Sequence, residues 1–206
     1  MNRQHNEERL VLFSDAVIAI TITLLAIELG VPDHAGKLPD ADLWRAVLAM
    51  WPQFLAYGVS FAVIGIFWVS HHRKFAHITR VTTALLWINL IFLMAIGLVP
   101  FATSLVAESA GGTATALYAG VMSMVGIALS VLWAYARWAN LIDADMGTLD
   151  IRQELLMSLL VVAVFLLSLP LALFSPVAAK WFWFLLVPIN LARLGAAKRN
   201  KKAETE

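Results

Sequence analysis

Long apolar runs, each bounded by charge, set the pattern of this chain. A bilayer-spanning helix needs about 20 predominantly apolar residues, and six stretches approach that length. The first runs from about Arg9 to Leu29, the second from Ala46 to Ser70, and the third lies between Arg80 and Glu108. The fourth lies between Gly112 and Arg137, and the fifth runs from Leu155 to about Phe174. A sixth, from about Val177 to Ala192, is short, contains Pro188 and requires Lys180 to snorkel outward. The pattern predicts an all-α integral membrane protein with six transmembrane helices in one bundle over residues 1–197. A basic, polar tail over 198–206 follows. No clear internal repeat emerges, and the bundle leaves no length for a soluble catalytic domain.

Composition agrees with the pattern. The 206 residues are 61% hydrophobic and only 14% charged, against about 25% charged in a soluble domain. Cysteine is absent, which removes disulfides and thiol chemistry. The net charge of +1 is too small to imply nucleic acid. The start, MNRQHNEERL, is polar without a signal-peptide pattern, so the first helix is expected to stay in the mature protein. Lysine and arginine set the orientation. With both termini in the cytoplasm, Arg3, Arg9, Arg73, Lys74, Arg80, Arg137, Arg152, Arg193, Lys198, Arg199, Lys201 and Lys202 are inside. Only Lys37, Arg45 and Lys180 are outside, a ratio of twelve to three. The expected location is a membrane, crossed several times. The loop Gly30 to Asp42 then lies outside, and the acidic loop Asp143 to Glu154 inside.

Candidate chemistry sits where polar groups interrupt the apolar runs. The first helix carries Arg9, Ser14 and Asp15 near its start and Glu28 at its end. Charges inside a membrane helix are costly and usually face a partner or a wet cavity. A Ser-Asp pair there is also a good amino-terminal cap. In FWVSHHRKFAH, three histidines leave the second helix beside Trp68. Imidazole is a common metal ligand, but histidine-box enzymes need more than one such cluster, and His34 falls on the other side. The plain alternative is an interfacial belt with Arg73 and Lys74 as topology signals. A third possibility is that His71 bonds a buried polar group of the first helix. Asn89 is the one strongly polar side chain of the third helix and needs a partner on another helix. Pro100 either kinks or ends that helix. Gly120, Gly126 and Ala128 permit close helix approach. No nucleotide-binding or metalloprotease motif occurs, and there is no backbone-carbonyl filter sequence of the kind used by conventional potassium channels.

These residues resemble the transmembrane-protein-175 family of potassium channels. The match is carried by Arg9, Phe13, Ser14 and Asp15, continuing as AVIAITITLLAIE, then by Trp68-x-x-His71, Asn89 and Pro100-Phe101. It covers the first three helices well and the last three only in general hydropathy. The resemblance implies a homotetramer of six-helix units, without the pore fold of conventional tetrameric cation channels. The first helix of each subunit lines the pore. Potassium ions pass in preference to sodium, and no cofactor, metal or enzyme activity is implied. By position, the constriction falls at Ile20, with further apolar rings at Leu24 and Ile27. Helical geometry independently permits this, because the spacing 20, 24, 27 is one face. Thr23 falls close to that face, where its hydroxyl could help hydrate an ion. The family's polar network matches Arg9, Ser14, Asp15, Trp68, His71 and Asn89. Thr21 is polar where many members are apolar. Glu28, with Asp33 beyond it, is a candidate outer acidic ring that attracts cations, and the alternative for Glu28 is a snorkelling interfacial side chain.

Rival readings come from other classes. Asp15 and His71 could form the relay of a proton-coupled or proton-permeable transporter, although transporters usually show inverted repeats and broken helices. A membrane enzyme built on the histidines and a passive accessory subunit are the others.

Overall fold

The computed structural model describes residues 3–32, 34–109 and 111–186. Among these are eight α-helices, one 3-10 turn and no strand. They are α1 (Arg3–Ile27), α2 (Asp40–Ala49), α3 (Trp51–Ala76), α4 (Thr83–Gly97), α5 (Val99–Glu108), α6 (Gly112–Trp138), α7 (Thr148–Phe174) and α8 (Pro176–Trp183). Five segments are long and apolar enough to cross a membrane: Glu7–Ile27, Trp51–Ala76, Thr83–Glu108, Gly112–Trp138 and Thr148–Phe174.

Several boundaries differ from those expected. The second apolar run does not begin a single helix at Ala46. The short α2 occupies Asp40–Ala49, and α3 starts afresh at Trp51 with Pro52 in its first turn. Proline suits that position because its missing N–H would have had no partner there. The third run breaks at Leu98 into α4 and α5, again with a proline, Pro100, in the first turn of the new helix. Pro100 therefore breaks the span without ending it. α7 begins at Thr148, so Asp150, Arg152 and Glu154 belong to a helix and not to the loop expected over Asp143 to Glu154. α8 ends at Trp183. The rest of the expected sixth span beyond residue 186, and the tail 198–206, lie outside the described residues.

α6 is the hub. It packs against α3, α4, α5, α7 and α8, while α1 packs on α3, α4 and α5. Small residues make these approaches possible. A Cβ on Gly126 would stand 2.6 Å from Val162 Cγ2, and one on Gly112 would stand 2.7 Å from the carbonyl oxygen of Ala172. Gly120, by contrast, has open space around its Cβ position and makes no close approach among the described residues. One apolar cluster fills the middle of the bundle, with Ile18, Phe67, Phe92, Met122 and Phe165 in it. A second, around Leu10, Phe75, Leu85 and Trp133, closes one end.

At that same end the α3–α4 and α6–α7 connections clasp each other. Ile78 and Ile142 form an antiparallel bridge. Thr79 N–H donates to Leu141 O at 2.8 Å, and Asp143 N–H donates to His77 O at 2.9 Å. Arg80 adds a bond to Asn140 O at 3.1 Å.

Candidate functional site

α1 has two unlike faces. Ile18, Thr21 and Leu25 are buried against the bundle, with exposures of 1%, 3% and 1%. Ile20, Leu24 and Ile27 are exposed, at 59%, 40% and 71%. By helical geometry the centres of the two faces lie about 130° apart. Leu12, Phe13 and Thr23 extend the open face. It is a nearly uninterrupted apolar stripe that nothing among the described residues covers. Thr23 supplies its one polar group. Its hydroxyl donates to Ile20 O at 2.7 Å, so the oxygen has only lone pairs left to offer outward. Thr21 spends its proton in the same way, on Val17 O at 2.9 Å, which lets it sit buried where an apolar residue would also fit.

The buried face of α1 is anchored by a hydrogen-bonded chain across three helices. Ser14 Oγ donates to Leu10 O at 2.9 Å. With its proton committed, Ser14 accepts from Asn89 Nδ2, also at 2.9 Å. The amide oxygen of Asn89 is thereby turned to His71, which lies 2.9 Å away through Nε2. His71 must donate there, so its proton is on Nε2 and Nδ1 carries the lone pair. All three side chains are fully buried. The His71 ring lies nearly parallel to Phe92, 10° apart with centroids at 5.1 Å, and against Phe75 at 4.4 Å. His71 therefore reaches the first helix through Asn89, not directly. A second link is nearer the surface, where Trp68 Nε1 donates to Asp15 Oδ1 at 2.8 Å.

The remaining candidates lie apart from this chain. Arg9 is exposed and makes no side-chain hydrogen bond or ion pair among the described residues. Glu28 is exposed just past the end of α1, and Asp33 lies outside the described residues. The histidines diverge: His71 is buried, whereas His72 and His77 are exposed. Among the described residues, no three His, Cys, Asp or Glu side chains come together as a metal site.

Two polar groupings were not anticipated. Lys74 is completely buried, with Nζ 3.3 Å from Glu154 Oε2 and 5.3 Å from the ring centre of Trp133. Arg73 approaches the same carboxylate at 3.7 Å. Both were expected as plain topology signals. The visible hint was a carboxylate, Glu154, at the head of the fifth apolar run. Ser60, Thr103 and Tyr118 meet in the opposite half, with Ser60 Oγ 3.0 Å from the Tyr118 hydroxyl and 2.8 Å from Thr103 Oγ1. Three hydroxyl-bearing residues on three apolar helices were the signal there.

The chain belongs to the family described as endosomal/lysosomal potassium channel TMEM175, which matches residues 9–100. A potassium channel of Streptomyces collinus is 42% identical over 137 residues, 64% of this chain and 65% of the relative. The matched part is thus a little under two thirds of that protein's length. The crystal structure of a lysosomal potassium-selective channel TMEM175 homolog from Chamaesiphon minutus superposes with a TM-score of 0.80 at 30% identity. It covers 91% of this chain and 98% of that one. An endosomal/lysosomal proton channel TMEM175 of Danio rerio is 34% identical over 149 residues, which is 70% of this chain but 29% of the longer relative.

Proposed function

We propose that this chain forms a homotetrameric, potassium-selective leak channel in the prokaryotic plasma membrane, with the open faces of four α1 helices around the pore. The observation that carries this reading is the uncovered stripe Ile20, Leu24 and Ile27 on a helix whose other face is locked into its own subunit. The names of the bacterial relatives support potassium as the ion. Each subunit contributes six spans, and both termini are cytoplasmic. Four Ile20 side chains make a narrow dry ring, which is a high barrier to any ion. Slight rotation or splaying of the helices wets it. Potassium holds its hydration shell more weakly than sodium, so stripping part of that shell costs it less. Thr23, presenting lone pairs and no proton, replaces some of the lost water. Glu28 and Asp33 concentrate cations at the outer mouth. Ser14, Asn89 and His71 keep the helix in register, with Asp15 and Trp68 as a second tie and Arg9 free for contacts between subunits.

The test is purified protein in liposomes under a potassium gradient. Potassium should flow without a coupled substrate, and cross-linking should stop at four subunits. A conducting monomer or dimer would overturn the pore. A second reading, proton permeation through Asp15 and His71, is favoured by the names of the vertebrate relatives. An internal pH dye in the same liposomes separates the two, because proton flux abolished by Asp15→Asn with potassium flux retained would select it.

A further inference from the structure

A cavity lies away from the α1 stripe. It holds about 330 Å³ and is walled by Trp51, Leu55 and Val59 of α3, Val106 of α5, and Trp183 and Phe184 at the end of α8. No residue of α1 lines it. That volume is at the lower end of the range for small-molecule sites, about 300–1,000 Å³. The cavity opens at the end of the bundle remote from His71, beside the start of α3 and the end of α5.

One cation stands in this apolar wall. Lys180 is partly buried, and its ammonium donates to Val106 O at 3.3 Å, in the last turn of α5. Among the described residues it has no carboxylate within ion-pair distance. Glu108, which also borders the cavity, is exposed and does not reach it. A partly buried ammonium that has only a carbonyl partner among the described residues favours an anion brought beside it. The apolar wall then runs inward along α3 from Trp51 to Ser60, about 13 Å at the usual rise per residue. Its floor is the hydroxyl group of Ser60 and Tyr118. With Thr103 and the Val99 carbonyl, 2.8 Å from Thr103 Oγ1, these hydroxyls have acceptors enough for all their protons. A hydrocarbon chain can therefore end there without stranding a donor.

We infer that this cavity binds one anionic phospholipid per subunit, its phosphate on Lys180 and one acyl chain between α3 and α8. The head lies within one turn of the end of α5, at headgroup depth, and the chain runs inward from it. The site is independent of which ion the protein conducts. The test is native mass spectrometry of the full-length, delipidated protein with phosphatidylglycerol or phosphatidylcholine of identical chains. Phosphatidylglycerol should be retained about tenfold more tightly. Lys180→Gln should erase that preference, Lys180→Arg should keep it, and Val59→Trp, which fills the cavity, should lose both lipids. Two results would overturn the inference at the first step: preference unchanged in Lys180→Gln, or retention unchanged in Val59→Trp. If Val59→Trp breaks the oligomer while lipid retention persists, a second copy of the chain occupies the cavity. If added oleate saturates the site and phosphatidylglycerol fails to displace it, the ligand is a free fatty acid. Either outcome refutes the phospholipid assignment.

Discussion

α1 and α6 are both long enough to cross a bilayer, and α1 is the more apolar of the two, yet it is the less buried. Only 28% of its most apolar stretch is enclosed by the chain, against 61% for α6. Hydropathy measures fitness for lipid; it does not say which helix becomes the core of a bundle. α6 earns its place through small residues, such as Gly126 against Val162 and Gly112 against Ala172, that let neighbours come close. α1 is held by a few polar bonds and one narrow apolar face, and the remainder of its surface is uncovered among the described residues.

That difference can be broken first on α1 itself. Leu25→Asn puts an amide into a site that is 1% exposed. Lost burial of about 2 kcal/mol and an unsatisfied amide of about 2 kcal/mol should combine to about 4 kcal/mol, read as a steep loss of thermal stability in detergent. Ile20→Asn, on the open face, should leave that stability within about 0.5 kcal/mol. It should instead raise basal conductance and sodium permeability together in reconstituted channels. Equal destabilisation by both variants would erase the distinction between the faces.

Next in size is the polar lock. Asn89→Leu removes the bonds to Ser14 and His71 and leaves the buried imidazole N–H without an acceptor. The expected cost is about 3 kcal/mol, measured by thermal unfolding. His71→Phe combined with Asn89→Leu should recover part of it, because both polar partners are then gone. Gly126→Leu should cost about 2 kcal/mol by overpacking α6 against Val162 and Phe67. Smallest is Trp68→Phe, which gives up one charge-assisted bond to Asp15 near the surface. A loss of about 1 kcal/mol is expected, with a faster exchange of subunits if Asp15 orients α1 in the assembly.

Ile20, Leu24 and Ile27 were placed by the family resemblance; helical periodicity, being local, could say only that the three share one face. Asn89 was legible as a residue in want of a partner, since an amide in lipid has few other options. Its chemistry could not say that it would sit between Ser14 and His71. The break between α2 and α3 was written in Pro52, and the charge boundaries drew attention away from it. Lys74 shows the opposite failure. Beside Arg73 it looks like an ordinary basic flank, and its burial depends on Glu154, eighty positions away. The clasp between residues 77–80 and 140–143 is likewise non-local, because two short loops of unremarkable composition pair only after four helices have been set side by side.

The bond from Ser14 to its own backbone has a consequence for how the protein is made. Ser14 is synthesised 75 residues before Asn89. At about 5–20 residues per second, that is a wait of roughly 4–15 s during which the first helix is in the membrane without its partner. Because the hydroxyl proton is already spent on Leu10 O, Ser14 can enter lipid without becoming an orphan donor. Asn89 then arrives into a membrane where Ser14 and His71 are both in place. The most polar residue of the lock is the last to be inserted, and it never has to wait.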